Sequence, residues 1–413
     1  MIAPPLPRLL SGAVKPACSF GWNGVQTGRG VIHIDLAAPF PDSVEPGPFR
    51  RSMVVFWWRD VPVGHVFLES QLCSPERLTA LCETAVEDDL IAAAEQHSRS
   101  SAESAGYPVS VIVCSRNRPH ELAACLDSIL RQMRLPDEIV VVDDGSRGPA
   151  VRRVTLERPR TVYRRQHASG LNAARNTGIR AAKGELLVFT DDSACHHPLW
   201  LERLTGGLDD STTLAASGLV LPFEIETEAQ YLFERVWTYN RGYRSREFTT
   251  GFLSETRSRA APVCEIGSGV SMAFHRRAFQ ELGCFDERFD AGTAESSGET
   301  ELWYRLLAKG WRCRYEPSSV SFHRHRRDLD ELAEQIRGQV SAHVTALLVL
   351  AHHDGHRGHL RRVVLELPLR FAKLACSRLV HGRRPSSELL GPAVKGFFSG
   401  LVFYARRRRA WRW

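Results

Sequence analysis

The sequence predicts an α/β protein in which helices cover both faces of a mostly parallel sheet. Three observations favour this class. Short β-branched runs alternate with stretches of helical spacing between residues 107 and 327, which is typical of parallel strands joined by crossover helices. Two of these runs end in paired aspartates, Asp143-Asp144 and Asp191-Asp192. Residues 328–413 have the spacing of basic amphipathic helices, so we expect a helical C-terminal extension beyond the sheet.

The composition is that of a globular protein whose charge is unevenly distributed. The chain has 413 residues and a formal net charge of +7, a length sufficient for two or three domains. Residues 360–413 contain 13 Lys/Arg and two acids, a net +11, so residues 1–359 sum to −4. A basic tail beside a slightly acidic body predicts an anionic surface as partner.

The cysteines and the N-terminus predict a cytoplasmic protein. Ten cysteines occur without any Cys-x-x-Cys pair, which favours reduced thiols in a reducing compartment. The first residues lack the pattern of a signal peptide, and no apolar run reaches the length of a transmembrane helix.

Residues 1–98 are predicted to form a small N-terminal α+β module, in which we find no catalytic pattern. Its predicted strands are residues 30–36, 52–58 and 61–68, and its predicted helix is residues 75–96. Residues 99–106 are small and polar and predict a linker. The central α/β domain is then expected to span residues 107–327.

Within the central domain, strands and helices are predicted to alternate. The predicted strands are residues 109–114, 138–142, 161–164, 186–189, 213–221, 270–274, 313–315 and 320–323. The predicted helices are residues 119–131, 169–182, 198–208, 226–241, 276–282 and 299–309. Residues 242–263 lack periodicity and predict a mobile loop. Three further helices are expected in the extension, at residues 329–351, 360–380 and 391–409.

Candidate nucleotide-binding residues follow the first two strands of this domain. In an open α/β sheet the ligand lies at the carboxyl ends of the strands. Ser115, Arg116 and Asn117 follow the first strand, and their small polar groups and backbone can contact a base or ribose. Asp143 and Asp144 follow the second strand, and a carboxylate there can accept hydrogen bonds from a nucleobase N–H.

A candidate phosphate and metal site follows the later elements. Arg175 lies on a predicted helix that begins near the same edge of the sheet, and a guanidinium suits the negative charge of a nucleotide. Asp191 and Asp192 end another strand. Neighbouring carboxylates repel each other, and hard oxygen ligands suit Mg²⁺ or Mn²⁺. We therefore predict a divalent metal at this position.

Candidate acceptor and catalytic residues lie further along the chain. Gly267 and Gly269 would let an acceptor approach the backbone closely, in the segment that continues to Met272. Glu299 opens a predicted helix, where the dipole stabilises a carboxylate, and it can take a proton from a hydroxyl nucleophile. His323 ends a short strand beside basic residues.

Taken in order, these motifs resemble the inverting glycosyltransferases of family 2, which have the GT-A fold. The resemblance covers about residues 107–327. It implies that the first strand and the Asp143-Asp144 turn hold the nucleotide. It further implies that Asp191 and Asp192 are the pair that binds the ribose and the divalent ion. Ser193 is a departure, because many relatives carry a third aspartate there.

The resemblance also assigns the general base. Relatives have an arginine six residues beyond the base, and Arg305 lies six residues after Glu299. Glu299 therefore occupies the base position, and Glu301, at the second acidic position, is the fallback if the alignment slips. His323 resembles a C-terminal histidine that reaches the metal or the phosphates in many GT-A enzymes.

The implied activity is transfer of a sugar, with inversion, from a nucleotide-sugar donor to a hydroxyl acceptor. The acceptor would be a glycan or a lipid-linked intermediate, as in polysaccharide biosynthesis, and Mn²⁺ or Mg²⁺ would assist. Two alternatives stay open: a catalytically silent relative that binds nucleotide sugars, and a nucleotidyltransferase. Nucleic-acid binding is disfavoured, because aromatic residues are not interleaved with the basic ones except at the end of the tail.

The basic tail predicts peripheral contact with an anionic membrane at the inner face of the cell membrane. Residues 360–379 mix apolar and basic side chains, and Trp411 and Trp413 end the chain after Arg406, Arg407, Arg408 and Arg409. Amphipathic basic helices with terminal aromatics suit a membrane interface. The alternative is a solvated helical subdomain packed on the catalytic unit.

Overall fold

The computed structural model describes most of the chain. The described residues are 29–38, 51–69, 74–99, 106–208, 212–254, 260, 262–290, 298–355, 357–381 and 388–407. The predicted linker lies largely outside these residues, and residues 408–413 of the tail lie outside them entirely.

The N-terminal part contains a three-stranded sheet in the order β1-β2-β3. Its elements are β1 (Val31–Asp35), β2 (Ser52–Trp58), β3 (Val61–Leu68), α1 (Pro75–Ala85) and α2 (Asp88–Arg99). The structure has two helices where the sequence predicted one, because Val86 adopts an extended conformation that ends α1.

A nine-stranded, mostly parallel sheet forms the centre of the described structure. Its strands are β4 (Val109–Ser115), β5 (Glu138–Asp144), β6 (Thr161–Gln166), β7 (Leu186–Asp191), β8 (Ala194–His196), β9 (Thr213–Pro222), β10 (Arg246–Phe248), β11 (Met272–His275) and β12 (Arg312–His323). Their order is β10-β12-β9-β11-β7-β4-β5-β6, with β8 beside β12. Strands β7, β4, β5 and β6 are parallel, whereas β11 is antiparallel to both neighbours.

Helices cover both faces of this sheet, which confirms the predicted α/β class. They are α3 (Pro119–Ile129), α4 (Ala150–Leu156), α5 (Leu171–Ala181), α6 (Trp200–Gly206), α7 (Glu228–Val236), α8 (Thr250–Ser254), α9 (Arg276–Leu282) and α10 (Gly298–Ala308). Side chains of β4 alternate between two cores: Val111 packs with α3 and α6, and Ile112 packs with α5. Central strands buried on both faces produce the continuous apolar runs seen in the sequence.

Two central predictions were wrong in detail. The two short strands expected before residue 324 are one long strand, β12, whose register with β9 shifts between Glu316 and Val320. The sequence pattern breaks there because an irregular pairing interrupts the alternation. The segment predicted as a mobile loop contains β10 and α8, while residues 255–259 and 261 lie outside the described part.

The N-terminal sheet packs directly on the central domain. Trp57 on β2 belongs to the same hydrophobic core as Phe189 on β7, and its ring stacks on His197 with centroids 5.9 Å apart. Asp60 forms an ion pair with Arg203 on α6. These buried contacts attach the N-terminal part rigidly to the central sheet.

Within the described residues, the predicted C-terminal extension consists of four helical segments and one π-helical turn. They are α11 (Leu329–Asp354), α12 (Arg357–Arg361), the π-helical turn Arg362–Glu366, α13 (Leu367–His381) and α14 (Leu390–Arg407). Helix α14 packs closely on α11 because Gly396 and Gly400 carry no side chain: a Cβ at Gly396 would lie 2.5 Å from the Arg337 carbonyl oxygen. Among the described residues, no helix combines the length and apolar character needed to cross a bilayer.

Candidate active site

One cavity of about 1040 Å³ opens at the carboxyl ends of β4, β5 and β7 and continues towards the C-terminal helices. Sequence reasoning predicted ten of its lining residues: Ser115, Arg116, Asp144, Arg175, Asp191, Asp192, Gly267, Gly269, Glu299 and His323. The carboxyl ends of neighbouring parallel strands meet at one edge of the sheet. The distant segments that carry the other residues reach this edge only through the tertiary fold.

Asp192 is a buried carboxylate of the cavity whose pKa is strongly raised. Its Oδ2 accepts a hydrogen bond from Ser115 Oγ at 2.8 Å, and its Oδ1 lies 3.4 Å from Arg118 Nη1. Burial nevertheless raises the pKa of Asp192 to about 6, because Arg118 and Ser115 only partly offset the loss of solvation. Burial also raises the pKa of Asp191. A cation bound between them would offset this desolvation.

Asp144 is held rigidly at the end of β5. One oxygen accepts hydrogen bonds from Gln166 Nε2 at 2.8 Å and from the Ser169 amide at 2.9 Å. The other accepts from the Gly170 amide at 3.2 Å. The loop that leads into α5 is thus fastened to Asp144, and the cavity wall around it is preorganised.

Arg175 and Glu299 form a buried ion pair in the cavity wall. Arg175 Nη1 lies 3.2 Å from Glu299 Oε2, and the arginine side chain is only 4% exposed. The guanidinium also lies over the Phe285 ring, 5.2 Å from its centroid. Glu299 keeps 20% exposure, so its carboxylate is held by Arg175 while remaining accessible from the cavity.

His323 belongs to a chain of buried polar groups behind the acidic pair. Its Nε2 lies 3.1 Å from Ser193 Oγ, and its Nδ1 lies 3.0 Å from His325 Nδ1. His325 Nε2 in turn lies 3.3 Å from the Glu234 carboxylate. If His325 carries its proton on the nitrogen beside Glu234, His323 donates from Nδ1 and presents a lone pair at Nε2. Burial, with His325 adding to it, holds the pKa of His323 well below its usual range.

Four predicted residues are not among those that line the cavity: Asn117, Asp143, Glu301 and Met272. Asp143 is fully buried and accepts hydrogen bonds from the Ser146 amide at 2.8 Å and from Tyr163 Oη at 2.6 Å. Glu301 is buried and pairs with Arg305. Met272 is buried within β11, and Asn117 ties its turn to Ser146 and Arg147. All four contribute to the scaffold in this structure.

Sequence reasoning missed other residues that line the cavity. Arg118 sits in the turn that was predicted to hold the nucleotide, so its charge was a usable signal. Asp290 accepts a hydrogen bond from the Ala173 amide at the start of α5 at 2.9 Å, and burial raises its pKa to about 6. Tyr239, Gln335 and several residues of α13 and α14 also line the cavity, but only the packing of the C-terminal helices brings them there.

Residues 110–283 match the family described as Glycosyl transferase family 2. The similarity to glycosyltransferase family 2 thus covers 174 of the 413 residues of this chain. The pre-mycofactocin glycosyltransferase of Mycobacterium tuberculosis is 29% identical to it over 243 residues, 58% of this chain and 47% of the relative. GlyA of Streptococcus pneumoniae is 37% identical over 49% of this chain and 28% of GlyA. The chain thus spans about half the length, or less, of these curated relatives.

Solved structures similar to this chain include a mannosyltransferase, PcManGT from Pyrobaculum calidifontis, in complex with GDP-Man and Mn²⁺. The two chains superpose with a TM-score of 0.49 at 20% identity, over 73% of this chain and 87% of PcManGT.

Replacing Gly269 with alanine is expected to separate Arg175 from Glu299. A Cβ at Gly269 would collide with the Arg175 guanidinium, and the flexible end of that side chain can move more easily than the backbone. We expect at least a tenfold loss of glycosyl transfer with a melting temperature within a few degrees of the wild type. Steady-state kinetics and thermal unfolding measure the two effects.

Gly391→Ala is the matched control, because a Cβ at Gly391 meets nothing within 4 Å. Unchanged kinetics in Gly269→Ala, with the fold intact, would show that the position of Arg175 does not matter for turnover.

Proposed function

We propose that the protein transfers a sugar, with inversion, from a nucleotide-sugar donor to a hydroxyl group of an acceptor. The observation that carries the proposal is the common cavity of Asp192 and Glu299. These residues are distant in sequence. Asp192 is suited to the side of the leaving phosphate, and Glu299 is suited to the side of the attacking hydroxyl. A carboxylate that can hold a cation beside the departing phosphate and a second carboxylate beside the incoming hydroxyl suit a single inverting step.

In the proposed step, Glu299 accepts the proton of the acceptor hydroxyl while that oxygen bonds to the anomeric carbon. The bond from the anomeric carbon to the phosphate oxygen breaks, and the nucleotide leaves with its electron pair. The ion pair with Arg175 supports this assignment, because it holds the Glu299 carboxylate in the cavity wall while the side chain stays 20% exposed. Release from Arg175 when the donor binds would free a Glu299 carboxylate oxygen to contact the acceptor hydroxyl.

The geometry favours Glu299 over Glu301 as the base. Glu301 is 4% exposed, and both its oxygens face Arg305, at 2.6 Å and 2.8 Å. Arg305 thus occupies both oxygens of Glu301, and this carboxylate has no oxygen open to a substrate. Glu299 is the one of the two that lines the cavity.

The proposed nucleotide site is the strand-end half of the cavity. Ser115, Arg116, Asp144 and Asp191 line it and would contact the base and ribose. Arg175 would exchange its carboxylate partner for the donor diphosphate, since a guanidinium binds phosphate oxygens at least as well.

The residues fit a divalent cation, with Asp192 and Asp191 as the hard oxygen donors and His323 as a further candidate. Among the described residues, no group of three His, Cys, Asp or Glu side chains forms a complete metal site. The phosphates of the donor would then have to complete the coordination. When bound, Mn²⁺ or Mg²⁺ would stabilise negative charge on the leaving phosphate.

We also propose that the C-terminal helices contact the anionic inner face of the cell membrane. Four apolar side chains on α12, the π-helical turn and α13 are about half exposed: Leu360, Val364, Leu365 and Leu369. Basic residues flank them, and such a surface binds anionic lipid. We expect the protein to co-sediment with vesicles of anionic lipid but not with vesicles of zwitterionic lipid. Failure to co-sediment with the anionic vesicles would contradict this proposal.

A thermal-shift panel of nucleoside diphosphates and sugar nucleotides, with and without Mn²⁺, tests the proposed function. A ligand that binds the folded state at 100 times its Kd stabilises it by about 2.7 kcal/mol. We expect one nucleotide base to raise the melting temperature, more so with Mn²⁺, and the Mn²⁺-dependent part to disappear in Asp192→Asn. Asp127→Asn is the control, because that aspartate pairs with Arg158 away from the cavity.

The rival functions give different outcomes. A catalytically silent relative would bind the nucleotide and never transfer sugar to any acceptor. A nucleotidyltransferase would release pyrophosphate, whereas a glycosyltransferase releases a nucleoside mono- or diphosphate. No shift with any nucleotide would contradict the proposal.

A further inference from the structure

The cavity does not end at the proposed catalytic groups. It continues from Glu299 past α11 into a space between α13 and α14, which we call the cavity arm. The residues that line the arm are His343, Arg362, Leu367, Arg370, Phe371, Leu374, Leu389, Leu390 and Ala393. A nucleotide sugar held at the strand ends has no contact to make there, so the arm is available to a second molecule.

A polar waist joins the arm to the proposed catalytic centre. Gln339 Nε2 and Gln335 Nε2 donate to Tyr239 Oη at 2.8 Å and 3.3 Å. The Oε1 atoms of both glutamines are buried and have no hydrogen-bond partner within the described part of the chain. Unpaired buried acceptors are costly, and both side chains line the cavity. A ligand hydroxyl at the waist would supply the missing donors.

The arm itself is positively charged. Arg362 and Arg370 line it, and the nearest acid to Arg362, Glu366, lies 3.7 Å from its Nη1. Arg362 Nε is buried without a hydrogen-bond partner among the described residues. Burial, with the Arg362 charge adding to it, lowers the pKa of His343 to about 3. Two arginines in a partly enclosed space attract an anion, and a phosphate matches the fork of their guanidinium groups.

Apolar side chains make up the rest of the arm. Leu367 and Phe371 come from α13, and Leu389 and Ala393 come from the start of α14. Leu367, Leu389 and Ala393 are buried and belong to one hydrophobic cluster with α11. An alkyl chain would fit such a lining better than a sugar chain would, because sugars need hydrogen-bond partners at most of their hydroxyls.

We propose that the acceptor is an anionic amphiphile, a hydroxyl-bearing molecule with a phosphate and an alkyl chain. Its chain lies among Leu367, Phe371 and Leu374, its phosphate pairs with Arg362 and Arg370, and its hydroxyl passes the waist to Glu299. Only the placement of the hydroxyl at Glu299 rests on the proposed function, because the alkyl chain and the phosphate can bind without the nucleotide-sugar donor.

Calorimetry on the full chain, at concentrations below micelle formation, tests the arm with three probes: decyl phosphate, decyltrimethylammonium and inorganic phosphate. We expect decyl phosphate to bind at least tenfold more tightly than either other probe, because only it offers both the chain and the anion. Tighter binding of the cationic amphiphile, or no saturable binding of decyl phosphate, would overturn the inference.

Two pairs of variants locate the binding site. Arg362→Gln is expected to weaken decyl phosphate at least fivefold, whereas Arg361→Gln, the adjacent arginine that does not line the cavity, should leave it unchanged. Leu374→Trp should fill the arm and reduce binding at least tenfold, whereas Leu156→Trp, at a 53% exposed position on α4, should not. Equal losses in both members of either pair would indicate surface adsorption and overturn the proposal.

Nucleotide affinity measured in the same samples separates this inference from the proposed function. If a nucleotide binds and decyl phosphate does not, the arm proposal fails and the transferase proposal stands. If decyl phosphate binds in the arm and no nucleotide binds anywhere, the arm proposal stands and the transferase proposal fails.

Discussion

Replacing Glu299 with glutamine is expected to lower turnover by about 10²–10⁴-fold, the usual contribution of a general base. The amide keeps the size of the side chain but cannot accept the hydroxyl proton. The nucleotide should still bind, and no more weakly than to the wild type, because Glu299 does not contact the proposed base and ribose site and its neutralisation leaves Arg175 available to the diphosphate. Initial rates of sugar transfer and titration of the nucleotide measure the two quantities separately.

Glu301→Gln is the matched control, because it makes the same chemical change two residues along α10. Glu301 is buried against Arg305, so we expect this variant to lose about 1–3 kcal/mol of folding stability. Its turnover should stay close to that of the wild type at a temperature where it is folded. If instead Glu301→Gln is inactive and Glu299→Gln keeps its activity, Glu301 is the base.

Acidification from pH 7 to pH 5 is expected to destabilise the fold by several kcal/mol, a large share of the ~5–15 kcal/mol typical of a domain. Burial lowers the pKa of His33, His196 and His197 to about 3. These rings are neutral in the fold, and the unfolded chain binds more protons below its histidine pKa of about 6.5. The contribution of these neutral rings to folding stability is therefore complete above pH 6.5. It is lost as the pH falls, by about 2 kcal/mol for each ring at pH 5.

Two carboxyl groups have the opposite effect on folding stability between pH 7 and pH 5. Burial raises the pKa of Asp192 and of Asp290 to about 6, so protonation favours the fold as the pH falls, by about 1 kcal/mol each at pH 5. The stability lost through the three histidines is larger than the stability gained through these two carboxyl groups. Denaturant unfolding at pH 7, 6 and 5 measures the net slope.

His197→Phe tests the origin of the acid sensitivity. The phenyl ring can keep the stacking on Trp57 but cannot be protonated, so the loss between pH 7 and pH 5 should shrink by about 2 kcal/mol. His167→Phe, at an exposed position, should leave the slope unchanged. A wild-type stability that is the same at pH 5 as at pH 7 would contradict the assignment of these histidines as neutral and buried.

The class of the fold could be predicted because its signals are local. The runs that became β4, β5 and β7 are apolar on both faces, and helical spacing separates them, as a covered parallel sheet requires. The long-range irregularity in β12 and the packing of the N-terminal sheet through Trp57 could not be predicted, because both depend on contacts between segments far apart in the sequence.

The candidate site was predictable to the level of the motif but not of the individual side chain. By itself the sequence determined that paired acids end β5 and β7 and that acids open α10. Only the tertiary structure decided that Asp144 lines the cavity and Asp143 does not, and that Glu299 lines it and Glu301 does not. The physical reason is that successive strand residues point to opposite faces, and helix residues two apart point in different directions. The choice between such neighbours therefore depends on which face the rest of the chain covers.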